Sequence, residues 1–289
     1  MMFTELAPGL IDNLILTAAL SLGIQIVLWL VSMKTRDATI ADWWWGMGYA
    51  TIALVTYANT YGVGVESRKL LITVLTVIWG VRLSVHLIAR SVADRRELDR
   101  YENYRKEATA KGEHLQWYLY KKIFGIQGVM MWIVSLPVQV AQFYLKPVEL
   151  GIVALIGCAI WVIGFSIESY TDWQLAQFKA DPANKGKILN SGLWYYTRHP
   201  NYFGEALVWW GIFLIACDNW IGLVTILSPI RMHHRMAHRQ GIGWLEKKMS
   251  TLRPEYADYI ARTNRFYPWP PKAAGKEPGA SGNTGLSKS

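Results

Sequence analysis

The stretch Leu193-Trp194-Tyr195-Tyr196-Thr197-Arg198-His199-Pro200-Asn201-Tyr202-Phe203-Gly204-Glu205 gathers an arginine, a histidine, an amide and a carboxylate at the entrance to an apolar run, residues 206–216. Pro200 suits the first turn of a helix, because the N–H it lacks would have no intrahelical partner there. The free N–H groups that follow point back toward Arg198 and His199, and a helix start beside an arginine is suited to phosphate. Asn201 and Glu205 are four residues apart and share a helix face. A plainer reading stays open on residue chemistry alone: Arg-His-Pro as a basic loop at a membrane edge, and Glu205 as a structural carboxylate.

Three other groups carry chemistry. Arg82, His86 and Arg90 step by four along one apolar segment, so they lie on one helix face. Arg90 can snorkel to the headgroups. Arg82 lies deeper and must face protein, water or a ligand, either in an ion pair (with Asp42 or Glu205) or in a wet electropositive cavity. Glu168 and Asp172 are again four apart and would repel each other unless donors satisfy them. Asp42 precedes Trp43-Trp44-Trp45-Gly46, as a solvated acid beside a tryptophan belt, a helix cap or the partner of a buried arginine. His234 and His238 have ligand-like spacing, but Arg231, Arg235 and Arg239 repel a cation and no carboxylate accompanies them. No metal is expected.

The elements that position these groups are membrane helices. Of 289 residues 52% are hydrophobic and 15 are tryptophan, and the mean hydropathy is +0.14, too apolar for an ordinary soluble domain. Cys158 and Cys217 lie in separate apolar runs without a CxxC, which argues against thiol or disulfide chemistry. Hydropathy predicts an all-α integral membrane protein with seven transmembrane helices at about 10–32, 43–61, 70–90, 123–144, 148–170, 201–216 and 220–236. Of the 30 lysines and arginines, 25 fall in the loops after spans 1, 3 and 5 and the C-terminal region counted from Arg231 onward, against 3 on the other side. The positive-inside rule then places the N-terminus outside and the C-terminus in the cytoplasm. The net charge of +9 therefore reports topology and a phosphate-rich ligand, not nucleic acid. Residues 1–270 are expected to form one membrane domain, and 271–289, rich in Gly, Ser and Lys, a disordered tail.

The segment from Asn190 to Glu205, with its Arg198-His199-Pro200-Asn201-Tyr202-Phe203-Gly204-Glu205, closely resembles the signature of the steroid 5-alpha-reductase family. Asp42 and Trp45, Trp79 to Ser84, Glu168, Asp172, Gln174, Phe178-Lys179, Leu245 to Lys247, Tyr256 and Tyr259 extend the resemblance over about residues 37–268. It implies an NADPH-dependent reductase that saturates a carbon–carbon double bond conjugated to a ketone, such as the 4,5 bond of a 3-oxo-4-ene steroid or a similar enone lipid. Asp172, Asn201 and Glu205 match positions that hold polar groups of the cofactor in that family, and Arg198 would serve its phosphates. The wider cofactor set implied is Arg82, Arg100, Tyr101, Glu168, Trp194, Tyr195, His199, Tyr202 and Tyr259. Animal members hold the steroid ketone with a glutamate and a tyrosine, which this chain lacks at the matching places. Asp42, Tyr49 and His86 are the polar groups assigned to the carbonyl instead.

The resemblance further implies a monomer in a bacterial inner membrane or its equivalent, with the cofactor site facing the cytoplasm and the bilayer and a hydrophobic enone as partners. A competing class is the isoprenylcysteine-type membrane methyltransferase, which uses S-adenosylmethionine and shares an Arg-His-Pro-x-Tyr helix entry. Asn201 with Gly204-Glu205, the Glu168/Asp172 pair and the early helices favour the reductase. A lipid sensor or transporter is a third class. The chain has no inverted repeat or paired broken helices to support a transporter.

Overall fold

The computed structural model describes residues 5–94, 99–238, 246 and 249–272, the side chains of Asp94, Asp99 and Arg100 excepted. Among the described residues the fold is helical, with only two isolated β-bridges, Leu6–Tyr144 and Thr197–Asn264. The helices are α1 (Leu10–Thr35), α2 (Ile40–Asn59), α3 (Glu66–Asp94), α4 (Asp99–Ala110), α5 (Leu115–Ala141), α6 (Ile152–Ala180), α7 (Pro200–Ala216), α8 (Leu227–Ala237) and α9 (Glu255–Arg262).

Four segments are long and apolar enough to cross a membrane: Leu10–Thr35, Glu66–Ala93, Leu115–Ala141 and Ile152–Ala180. The expected second and sixth spans exist as α2 and α7, of 20 and 17 residues. α7 falls outside this set because it is short, and α2 because Asp42, its tryptophans, its glycines and Asn59 make it less apolar. The expected seventh span, 220–236, is two pieces: a 3₁₀ segment, Trp220–Thr225, and α8, whose first turn holds Pro229. Proline is tolerated in a first turn and disrupts a helix interior, so the chain restarts there. The expected disordered tail lies, from residue 273 onward, outside the described residues.

Helix α1 explains why the bundle is inside-out relative to a soluble protein. Asn13, Thr17, Ser21 and Gln25, in steps of four, are all buried, while Ile11, Ile15, Val27 and Leu30 are exposed. Thr17 donates to Gln139 Oε1 at 2.6 Å, and Ser21 donates to the Gly128 carbonyl at 2.9 Å. Polar side chains thus bind helix to helix where apolar contact with lipid would give no preference for association.

Two helix pairs carry the site, and glycines set their spacing. A Cβ on Gly46 of α2 would lie 2.1 Å from the Gly80 carbonyl oxygen of α3. On α6 and α7, Gly157 faces Gly211 and Gly164 faces Gly204, each Cβ falling 2.6–2.7 Å from the opposing carbonyl oxygen. These pairs run the two helices antiparallel in backbone contact. α6 continues past the predicted end of its span to Ala180, which keeps Glu168 and Asp172 inside a rigid helix beside the start of α7.

Candidate active site

The acidic residues of α6 meet the arginine of α3. Arg82 Nη1 donates to Glu168 Oε1 at 2.6 Å, and Nη2 donates to Asp172 Oδ2 at 2.5 Å. Trp79 Nε1 donates to the other Glu168 oxygen at 2.9 Å, and Asn201 Nδ2 donates to Asp172 Oδ1 at 3.0 Å. Arg82 thus pairs with the two α6 acids, not with Asp42 or Glu205, because steps of four on α3 and on α6 bring the two polar faces together. One cation between two carboxylates removes the repulsion that their spacing implies. His86 Nε2 stands 3.6 Å from Asp172 Oδ2.

Glu168, Asp172, Asn201 and His86 line a cleft with Asp42, Trp45, Arg90, Tyr202, Glu205 and Arg235. Glu205 is buried and accepts from Trp45 Nε1 at 3.3 Å. Asp42 Oδ1 accepts from the Tyr101 hydroxyl at 2.9 Å. The Asn201 side-chain oxygen is buried with no partner among the described residues, an acceptor without a donor.

Arg90, Asn201 and Tyr202 also line a second, larger cavity of about 580 Å³. Among the described residues its cations are Arg90, Lys179, Lys185, Lys187, Arg198 and Arg253, against the single acid Asp181. Leu175, Phe178, Ile188, Leu189 and Met249 supply apolar wall, and Trp194, Tyr256 and Tyr259 supply rings. The Trp194 indole N–H is buried without an acceptor among the described residues. Such a chamber suits a flat ring joined to phosphate.

The C-terminal segment closes one side of this cavity. Arg198 Nε donates to Glu246 Oε1 at 2.8 Å, while its Nη1 donates to the Ile260 carbonyl at 3.1 Å and to the Thr263 carbonyl. His199 Nε2 lies 3.2 Å from the same Glu246 oxygen. The Tyr259 hydroxyl donates to the Trp194 carbonyl, and Arg253 Nη1 donates to the Lys187 carbonyl at 2.6 Å. Burial would raise the Glu246 pKa, but the hydrogen bonds from His199 and Arg198 outweigh it and hold the carboxyl down to about 2. Burial lowers His199, more than Glu246 raises it. Burial likewise pushes the Tyr259 phenol up.

Of the residues singled out in the sequence, Asp42, His86, Glu168, Asp172, Asn201, Tyr202 and Glu205 share the cleft, while Trp194, Arg198, His199, Asn201, Tyr202 and Tyr259 share the larger cavity. Arg82 stands behind the acids it neutralises. Three other expected site residues lie outside both spaces. Tyr49 is fully buried among Trp45, Trp79 and Trp209 and lines neither space, because the glycine contact of α2 with α3 turns it into the core. Tyr195 is half exposed, packs edge-on against Tyr196, and lines neither space. Tyr101 acts through Asp42 and does not line the cleft. The Arg100 side chain lies outside the described residues. The sequence reading passed over Lys185 and Lys187, which a short turn at Pro182–Asn184 and Gly186 presents to the cavity.

A family model described as a protein of unknown function, DUF1295, matches residues 28–263. An uncharacterised protein of Schizosaccharomyces pombe is 25% identical over 274 residues, covering 84% of this chain and 76% of the relative. The 3-oxo-5-alpha-steroid 4-dehydrogenase 1 of Rattus norvegicus is 31% identical over 93 residues, and that of Bos taurus 29% over 92. Those two alignments span 30% of this chain and 36% of each steroid enzyme. No solved structure matches. With its helical membrane bundle and a family match over most of its length, the chain belongs to the DUF1295 family.

Proposed function

We propose that the protein is an NADPH-dependent membrane reductase that saturates a carbon–carbon double bond conjugated to a ketone in a hydrophobic substrate, such as a 3-oxo-4-ene steroid. The observation that carries this reading is the adjacency of two spaces that share Arg90, Asn201 and Tyr202 as wall. A cation-lined cavity of about 580 Å³ adjoins an acid-rich cleft through Asn201 and Tyr202. Local similarity to 3-oxo-5-alpha-steroid 4-dehydrogenases supports the same reaction class.

The residues present fit a dinucleotide. The unpartnered Asn201 oxygen suits a carboxamide N–H, and the Trp194 indole N–H and the lysines of the larger cavity suit phosphate. When bound, a reduced nicotinamide supplies the hydride. Asp172 fixes the Asn201 amide, so that its oxygen faces the cleft. Arg82 bridges Glu168 and Asp172 and holds the two carboxyls side by side. Glu205 adds a second acceptor for the cofactor's amide. Arg198 serves the phosphates indirectly, since Glu246 and the carbonyls of α9 occupy its guanidinium. Asp42 and His86 are the cleft groups able to hold the proton destined for the alpha carbon.

The orientation we propose has seven membrane passes, the four long apolar helices together with α2, α7 and α8. It places the basic loops, and with them the mouth of the larger cavity, in the cytoplasm. The test is thermal stability of the detergent-purified protein with NADPH, NADH and S-adenosylmethionine in parallel, since a ligand that binds the native state raises apparent stability. A shift with NADPH that is lost in Glu205→Ala is the expected result. A shift with S-adenosylmethionine alone would move the protein to the methyltransferase class.

A further inference from the structure

Arg90 and Arg235 are the cleft arginines with no hydrogen bond or ion pair among the described residues; Arg90 also lines the larger cavity, and Arg235 lines only the cleft. It sits on α8 with its guanidinium carbon 4.3 Å over the ring of Trp45. Among the described residues it makes no hydrogen bond or ion pair, and its Nε is buried without a partner. Arg82, the deeper arginine, has both terminal nitrogens on carboxylates and has no such vacancy. The one indole of Trp45 divides the cleft, its N–H edge on Glu205 and its face on Arg235. A buried donor with no acceptor costs free energy unless something else supplies the acceptor. The cation–π contact offsets part of that cost but uses none of the N–H groups.

We propose that Arg235 receives the carbonyl oxygen of the substrate and stabilises the oxyanion that forms there. The proposal deepens the reductase reading and rests on it for the identity of the reaction. In that reaction the hydride adds to the beta carbon, the carbon–carbon π pair moves toward the carbonyl, and the oxygen gains a full charge. The enolate pair then takes a proton at the alpha carbon, leaving a saturated ketone and the oxidised dinucleotide. A fixed guanidinium beside an apolar ring is suited to the charged oxygen more than to the neutral ketone, which is the condition for catalysis. The specificity that follows is for substrates whose apolar body leads with a single carbonyl oxygen.

The probe is a steroid 3,5-diene-3-carboxylate, which places a permanent anion where the enolate oxygen would form, compared with its methyl ester. Binding is measured on purified protein in detergent, with and without NADP⁺, for the native chain, Arg235→Gln and Arg235→Lys. The native protein should prefer the carboxylate by at least about tenfold, Arg235→Gln should erase the preference, and Arg235→Lys should keep part of it. NADP⁺ affinity should stay within about twofold in all three, which also certifies that the variants fold. Reduction of progesterone should fall in kcat by about a hundredfold in Arg235→Gln, with little change in KM. A carboxylate preference that is absent in the native protein, or unchanged in Arg235→Gln, overturns the assignment. If NADP⁺ does not bind the native chain, the reductase reading fails, and the carboxylate preference of the nucleotide-free protein still decides whether Arg235 is an anion site.

Discussion

At the end of the bundle remote from the cleft, Arg68 and Lys69 lie side by side at the start of α3, both buried. The terminal nitrogens of Arg68 donate to Asp218 at 2.8 Å and to the carbonyls of Pro147 and Glu149. The three donors of the Lys69 ammonium go to the Thr60 and Val63 carbonyls and to Glu66. At the cleft end, Arg82 is as well satisfied, but its surroundings are not. Asn201 keeps an idle acceptor, Arg235 idle donors, and among the described residues Glu205 accepts only from Trp45. Both ends pay the desolvation cost of buried charge. At the remote end the terminal nitrogens of Arg68 and the ammonium of Lys69 are taken up by the protein, with Arg68 Nε alone left over among the described residues, and the network anchors helices to one another; where donors and acceptors face an open space, the network is prepared for a ligand.

The comparison breaks first at Asp218. Removing its carboxylate strands a buried guanidinium, which should cost about 3–5 kcal/mol of stability. Asp218→Ala should therefore lose its fold at a much lower temperature in detergent while NADPH affinity, measured well below the transition, stays at the native level. The reverse pattern, intact stability with lost affinity, would mean that the closed network is the functional one. Asn201→Ala tests the open end. It should weaken NADPH by roughly tenfold to a hundredfold, the worth of about 1–3 kcal/mol in hydrogen bonds, with a smaller effect on thermal stability. A titration that finds native affinity would remove Asn201 from the cofactor site.

A third change joins packing to the site. A Cβ on Gly204 would lie 2.7 Å from both the Glu168 amide nitrogen and the Gly164 carbonyl oxygen. Gly204→Ala must spread α6 from α7, at about 1–3 kcal/mol. Because Glu168 and Glu205 flank that contact, NADPH binding should fall along with stability. The control is Gly23→Ala on α1, whose Cβ meets nothing within 4 Å and should leave both unchanged.

Much of this site was legible in the sequence because local periodicity carries it. Pro200 marks the start of α7, and steps of four put Arg82 with His86, Glu168 with Asp172, and Asn201 with Glu205 on shared faces. What periodicity cannot supply is the partner across the bundle, so the pairing of Arg82 with the α6 acids appears only when α3 and α6 are placed together. The same limit hid Tyr49, whose ring is turned into the core by a glycine contact between helices. It hid Arg198 as well, since its acceptors lie 48 to 65 residues further along the chain. Hydropathy found the apolar helices and blurred α1, where the buried polar stripe of Asn13, Thr17, Ser21 and Gln25 is diluted by the exposed aliphatic face. It also merged the 3₁₀ segment Trp220–Thr225 and α8, which begins at Leu227 with Pro229 in its first turn, into one span.

The smallest expected effect concerns the clasp that holds the C-terminal segment against the larger cavity. His199 is buried and its pKa is lowered, chiefly by that burial. A histidine whose folded pKa lies below its unfolded value of about 6.5 contributes stability that is complete above that value and is lost as pH falls toward the folded one. Glu246, held at about 2, stays ionised throughout this range and contributes no slope of its own. The native protein should therefore lose thermal stability between pH 7 and pH 5, by at most about 1.4 kcal/mol per pH unit for one proton, and His199→Gln should flatten that part of the curve. Because His199 and Arg198 meet the same Glu246 oxygen and also line the cavity, NADPH affinity should soften over the same interval. If the pH slope survives in His199→Gln, another group is responsible, and the clasp is held by Arg198 and the α9 carbonyls alone.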